Sequence, residues 1–500
     1  MDRVLILTWN RQRAYDYYFE KVVSLSFIVM SAETKSGEYS SNNAFIFNGN
    51  NGNLNNNNKY NSNSVRPVTD FRDNECYTFG EFHKSMRVAL RVCYKNKRNT
   101  PNALRFRLNE TENLMALSES AYQGEYIPGK SIIFLLQYPV LREAIAADFR
   151  DRVVQTWLVM RIEPLFQECG SIPDQMYSCR VGKGNLAAIK AVCHSIYRLS
   201  QKYTRDCTVA KFDISSFFMS IDKRRLYEDL VKLVTENYHG ADKDMVLYLM
   251  RITTFNLPTE HCIRKTPICE WAGLPAGKSA YNLDWFLCLA IGNLWSQTDA
   301  NFYNAPIVRY ILKFSTIDVE NYVDDFYLGS RVKEDIHRAM SHIREELKTR
   351  GLTMHPHKYY EQPYQHGIKI LGGVVKCGRM YISNRTVGKL ECKVHYYNTV
   401  YASGHYSKVR HLEKFISIIN SYFGLMRHFC TFNIRKRVAA DIMKHWEGYL
   451  YFTDDLEKAV PVKKYKPREI MKARIRRKHR TIINILNTQY YGNNKQNQAA

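Results

Sequence analysis

An α+β fold is predicted for this 500-residue chain by three local patterns: a short strand that ends in an acid, a hairpin with two acids at its bend, and a long amphipathic helix. The strand is Thr208-Val-Ala-Lys-Phe-Asp213, apolar and β-branched up to its terminal carboxylate and followed by Ser215-Ser216, with a helix through Arg224–Val234. The hairpin is Glu320–Gly329, which reads as two strands bent at adjacent acids. The helix lies between Val409 and Phe429, where apolar residues recur at 409, 412, 415, 416, 419, 422, 423, 426 and 429 and Arg410, Lys414 and Arg427 face solvent. At the usual domain scale the length allows roughly three to four folded units.

The rest of the chain is divided by composition. Between Asn42 and Asn63 twelve residues are Asn, which predicts a flexible loop within an N-terminal extension, 1–75. From about Cys76 to Ser200 the pattern is helical and basic, with Glu81–Tyr94 offering mixed three and four spacing. Lys463–Arg480 holds ten Lys/Arg against one Glu, within a basic tail, 461–500, that ends Tyr490-Tyr-Gly-Asn-Asn.

Charge narrows the partners. With 72 Lys plus Arg against 48 Asp plus Glu the net charge is +24, far from what an enzyme of neutral metabolites needs, and it points to a polyanion. The twelve cysteines include no C-x-x-C pair and no Cys/His cluster at zinc spacing, and are expected to be small buried hydrophobes in a reducing cytosol. No segment reaches the ~18 apolar residues of a membrane span, and the start lacks a signal-peptide layout, so a cytoplasmic protein without a membrane partner is expected.

The acids carry the chemistry. Hard divalent cations want carboxylates, and nucleotidyl transfer uses two such cations about 4 Å apart. Asp213 and Asp324-Asp325 could converge on one point if their strands lie side by side.

Tyr322-Val-Asp-Asp325 resembles the hallmark of reverse transcriptases, and other motifs of that family follow in order from about Ala103 to Arg437. Lys211-Phe-Asp213-Ile-Ser-Ser-Phe-Phe218 is similar to its first carboxylate motif, Gly273-Leu-Pro-Ala-Gly277 to its template and nucleotide loop, Gly351-Leu-Thr-Met-His-Pro-His-Lys358 to its lysine motif, and Gly367-Ile-Lys-Ile-Leu-Gly-Gly373 to its primer-grip hairpin. Leu141-Arg142-Glu with Phe149-Arg-Asp-Arg-Val-Val154, and Tyr177-Ser-Cys-Arg180-Val-Gly-Lys-Gly184, resemble the fingers motifs of bacterial members.

The resemblance implies a right-hand polymerase: fingers over 76–205, a palm with an antiparallel sheet and inserted fingers elements over 206–385, and a helical thumb over 386–460. It implies two Mg²⁺ ions, with Mn²⁺ a substitute, on Asp213, Ile214, Asp324 and Asp325, and Lys358 as the proton donor to departing pyrophosphate. Arg142, Arg180, Phe218, Ala276 and Gly277 would meet the incoming dNTP, Phe218 excluding a ribose 2′-hydroxyl. Gly372, Gly373, Arg410, Lys414, Arg427, Lys472, Arg474, Arg476 and Arg477 would meet nucleic acid. The plain alternatives are solvated turn acids, core packing for Phe218, surface charges for the arginines and lysines, and a bare turn at Gly277.

No ribonuclease H or endonuclease constellation follows Arg437, and the overall look is that of compact bacterial enzymes: defence-associated reverse transcriptases and those of diversity-generating retroelements. Ala276-Gly-Lys-Ser-Ala-Tyr-Asn282 and Val323 depart from the retroelement pattern, which favours a defence enzyme copying a dedicated, structured non-coding RNA into DNA over target diversification. An RNA-binding scaffold with this fold, and protein-primed synthesis from Tyr490 or Tyr491, stay open. So does a homo-oligomer, although no heptad seam advertises one.

Overall fold

The computed structural model describes residues 77–462 apart from 98, 138 and 139, together with Tyr465 and the backbone of a hairpin, β1 (Asn43–Asn48) and β2 (Asn53–Asn58). The Asn-rich stretch was expected to be a loop, yet its strands pair antiparallel from Asn43↔Asn58 to Asn48↔Asn53.

The chain divides into two compact units, each made of separated segments: 1–171 with 216–303, and 172–215 with 304–500. The first is mainly helical. Its helix Phe79–Lys97 starts with a reciprocal cap, in which the Thr78 N–H donates to Glu81 Oε2 at 2.8 Å and the Glu81 N–H to Thr78 Oγ1 at 3.3 Å. That helix packs on Phe149–Glu168, where fully buried Trp157 meets Phe82 edge-on at 5.3 Å and donates its indole N–H to Ser85. The helical part also contains Pro101–Leu108, Glu110–Tyr122, Lys223–Asn237 and Lys243–Phe255.

This unit also holds a sheet that the basic helical reading of 76–200 did not foresee. Strand β3 (Ser131–Leu136) pairs antiparallel with β4 (Arg142–Ala146) and parallel with β6 (Cys262–Arg264). In β3 burial alternates strictly, so Ser-Ile-Ile-Phe-Leu-Leu is a half-buried strand.

The second unit is built on an antiparallel sheet of order β7-β8-β5-β9: β5 (Thr208–Asp213), β7 (Ile317–Tyr322), β8 (Asp325–Ser330) and β9 (Tyr360–Pro363). The stacked rings of Phe212 and Phe326, centroids 4.5 Å apart, lie one pair before the acid end of the β5–β8 ladder. A second sheet joins β10 (Ile368–Ile370), β11 (Gly373–Lys376) and β12 (Arg379–Ile382).

Downstream, helices Asn384–Tyr396, His405–Met426 and Phe432–Trp446 share a core in which Phe415 stacks on Tyr397 at 4.5 Å and meets Trp446 at 4.8 Å. Helix His405–Met426 buries Leu412, Phe415, Ile416, Ile419, Phe423 and Met426 and leaves Arg410 and Lys414 exposed, the division its periodicity predicts.

Among the described residues no helix is long and apolar enough to cross a membrane. The eleven described cysteines are free thiols, and six of them are exposed rather than buried as expected, because Cys tolerates loop and helix surfaces where no packing demand excludes it.

Candidate active site

Strand pairing brings the acids together. β5 and β8 run in register from Thr208↔Ser330 to Asp213↔Asp325, so the two carboxylates stand opposite each other across the ladder. Hairpin β7–β8 closes from Tyr322 to Asp325 with only Val323 and Asp324 in the turn. Asp324 is tied to β5 through its carbonyl, which accepts from the Ile214 N–H at 3.1 Å.

The lysine motif runs alongside. Ile214 bridges Met354 antiparallel, the Ser215 N–H donates to the Thr353 carbonyl at 2.8 Å, and the His355 N–H to the Asp213 carbonyl at 2.8 Å. This main-chain pairing delivers Lys358, whose Nζ donates to both oxygens of Asp213 at 2.9 Å. Lys211, two residues before Asp213 and so on the same strand face, reaches Asp325 Oδ1 at 2.9 Å.

Lys358, which bridges Asp213, also lies near enough to act on Asp324, but more weakly than the effects that oppose it. Burial first, then repulsion from Asp213 and Asp325, pushes the Asp324 carboxyl up to about 6. A half-buried carboxylate repelled by two others and only partly offset by Lys358 is a negative site that a hard cation would relieve, so these oxygen donors fit a divalent metal. Among the described residues no three metal-ligating side chains yet close into a cage, because Asp213 and Asp325 are each turned to a lysine.

A groove of about 700 Å³ in this unit is lined by Lys211, Asp325, Lys369, Gly372, Tyr381 and Arg385, with Gly373 and Cys430 also on its wall. Gly372 has φ +81°, and a side chain at Gly373 would press on Phe429 at 3.0 Å, so the glycine pair serves both the turn and the packing beneath it. Arg427 pairs with Glu457 at 2.9 Å. Arg180 spends its guanidinium on its own loop, donating to the carbonyls of Pro173 at 2.7 Å and Met176 at 3.0 Å. Lys472, Arg474, Arg476, Arg477, Tyr490 and Tyr491 lie outside the described residues.

In the first unit Arg142 is exposed at the start of β4. Glu143 beside it is fully buried and accepts from Trp271 Nε1 at 3.0 Å, Ser279 Oγ at 2.9 Å and the Ala280 N–H at 2.9 Å. This one carboxylate fastens the loop carrying Ala276 and Gly277 to the strand carrying Arg142. Sequence reading assigned it no role, although an acid between an arginine and an apolar run was its signal. Gly277 is exposed with open space around it. Phe218 is half-buried, edge-on to Phe217 at 5.6 Å, and its carbonyl accepts from the Leu289 N–H at 2.8 Å.

The antiparallel sheet thus sets a strand-end carboxylate opposite an acid pair on a hairpin, with a lysine on each flank. Residues 141–375 match the family described as reverse transcriptase (RNA-dependent DNA polymerase), so this stretch is a reverse transcriptase domain. Enzymes of that family work with divalent metal ions.

Among solved structures the chain is similar to apo telomerase from Candida tropicalis truncated from its C-terminal domain, at TM-score 0.38 and 11% identity over 51% of this chain and 55% of that one. It is also similar to apo telomerase from Candida tropicalis, at TM-score 0.39 and 11% identity over 64% and 56%. A third is telomerase from Candida albicans in complex with a TWJ fragment of telomeric RNA, at TM-score 0.37 and 10% identity over 64% and 63%. The chain thus spans between 55% and 63% of the length of these structures. No curated protein matches it in sequence.

Proposed function

We propose that the chain copies a structured non-coding RNA into DNA from dNTPs, as a bacterial defence enzyme of the reverse transcriptase class. The observation that carries the polymerase reading is the in-register pair Asp213↔Asp325 with Asp324 in the turn between β7 and β8. The net charge of +24 supports a nucleic-acid template.

Asp213, Asp324 and Asp325, with the main chain of Ile214, would hold two Mg²⁺ ions, Mn²⁺ substituting. Bound cations would acidify the primer hydroxyl and neutralise the triphosphate. Lys358 holds Asp213 in place and keeps a proton within reach of a departing pyrophosphate. Arg142, Ala276 and Gly277 are assigned to the incoming nucleotide, with Phe218 selecting deoxyribose. Gly372, Gly373, Arg410, Lys414 and Arg427 are assigned to the primer–template duplex. Arg180 enters as the brace of the 173–177 segment.

The test supplies purified protein with its co-purifying RNA, Mg²⁺ and labelled dNTPs. DNA product is expected, and its loss in Asp324→Asn plus Asp325→Asn; no product from the wild type, or equal product from the double variant, sinks the reading. RNA binding without synthesis would select the scaffold instead, a reading that the lysine-paired Asp213 and Asp325 favour. Sequencing the co-purified nucleic acid separates defence from diversification, since a variable-protein template marks the latter.

A further inference from the structure

We propose that Asn304 and Asn321 are positioning residues, which clamp the Val323-Asp324 turn and so hold the acid pair in shape; this rests on the polymerase reading above.

Val323 adopts φ +57°, a region that costs a side chain with a Cβ roughly 1–2 kcal/mol and is ordinarily given to glycine in two-residue hairpin turns. A β-branched residue stays there only when its surroundings determine the conformation. Two amides converge on its carbonyl: Asn304 Nδ2 donates at 2.6 Å and Asn321 Nδ2 at 3.0 Å, the latter also reaching the Asp325 carbonyl at 3.3 Å. Asn304 comes from helix Leu294–Ile311 and Asn321 from β7, and their exposures are 0% and 1%.

Both side chains are costly to keep. Their Oδ1 atoms are buried without a hydrogen-bond partner, and an unsatisfied buried acceptor costs about 1–3 kcal/mol. Leucine, with the same number of side-chain heavy atoms, would avoid that cost, so the feature that distinguishes asparagine here is its N–H donor.

The clamp is itself held from behind. The Asn321 N–H donates to the Gln175 carbonyl at 2.8 Å, and its carbonyl accepts from the Tyr177 N–H at 2.9 Å. The segment 173–177 is in turn fixed by Arg180, through Pro173 and Met176. Downstream, the Ile214 N–H to the Asp324 carbonyl and the Asp213↔Asp325 pairing both depend on the shape of the turn.

The experiment uses the full chain and compares wild type with Asn304→Leu, Asn321→Leu, Val323→Gly and the pairing of each leucine variant with Val323→Gly. It measures thermal midpoint, kcat and KM for a dNTP, and hydrogen exchange of the hairpin amides. Each leucine variant is expected to lower its midpoint modestly while staying folded, lower kcat by about tenfold or more with KM within about threefold, and exchange faster at 322–326. Glycine at 323 needs no clamp, so in that background the leucine loss shrinks below about threefold. A kcat within about twofold of wild type, unchanged hairpin exchange, or an equal loss in the glycine background would each overturn the proposal. Should a leucine variant not fold, alanine at the same position, which also removes the donor, carries the same comparison. A wild type that makes no DNA removes the polymerase reading alone, and hairpin exchange then decides the clamp.

Discussion

Lys358 and Lys223 show how one residue type does opposite things in two settings. Half of the Lys358 side chain is exposed, at 51%, while its ammonium spans both oxygens of Asp213. If it delivers a proton, Lys358→Arg keeps a cation beside Asp213 but holds its proton too firmly, and kcat for dNTP addition falls about 10²-fold; near-normal turnover in that variant would reduce Lys358 to an ion-pair partner. Lys223, by contrast, is 2% exposed in the wall of a cavity that Glu260 and Cys288 also line. Burial pulls its ammonium down from 10.5 to about 8. The folded state therefore binds fewer protons than the unfolded one between those values, so this group makes stability rise with pH from about 8 to 10.5. Its neutral-pH cost is on the order of 3 kcal/mol, and Lys223→Met is expected to raise the thermal midpoint at pH 7 and flatten that rise. A lower midpoint would mean that the ammonium is satisfied in its cavity.

At the scale of single elements, glycines separate open positions on helices from a tightly packed strand. A methyl at Gly388 or Gly424 meets nothing within 4 Å inside helices Asn384–Tyr396 and His405–Met426, so Gly→Ala at either is expected to stabilise by about 0.5–1 kcal/mol in denaturant melts. A methyl at Gly329 in β8 would lie 2.6 Å from Tyr327 Oη and 2.7 Å from Leu199 Cδ1, so Gly329→Ala is expected to lower the midpoint clearly and disturb the acid-bearing sheet. The same elements show what the sequence made legible. Strands β5, β7 and β8 could be read because β-branched and aromatic runs end at acids. The helix His405–Met426 could be read because its apolar spacing is long and regular. Strands β3 and β4 could not, since Ser131–Leu136 lies among basic helical segments and its alternation is visible only through burial. Glu143 and Lys211 stayed without roles because each depends on a partner more than a hundred residues away.

For the whole molecule, chain order conceals the architecture. Residues 172–215 pack with 304–500 while 216–303 pack with the N-terminal part, so Asp213 and Phe218, five positions apart, belong to different units. Local pattern carries no sign of such an exchange. Charge is the other property of the entire chain: at +24, RNA binding is expected to weaken at least tenfold between 50 and 200 mM salt. Each phosphate contact removed should flatten the log–log slope by about 0.7 for a single strand. Alanine at Lys472, Arg474, Arg476 and Arg477 together should reduce the slope in a fluorescence titration if that tail grips RNA, and an unchanged slope would assign the grip elsewhere. The accessible thiols bring a practical consequence. Cys430 is both open to solvent and part of the wall that Asp325 shares, so a bulky maleimide attached there would obstruct the groove, and with it any duplex the groove admits. With the other five exposed cysteines among those described replaced by serine, inactivation by the reagent should be slowed by added primer–template and abolished by Cys430→Ser, which turns an incidental sulfur into a gauge of whether that groove is filled.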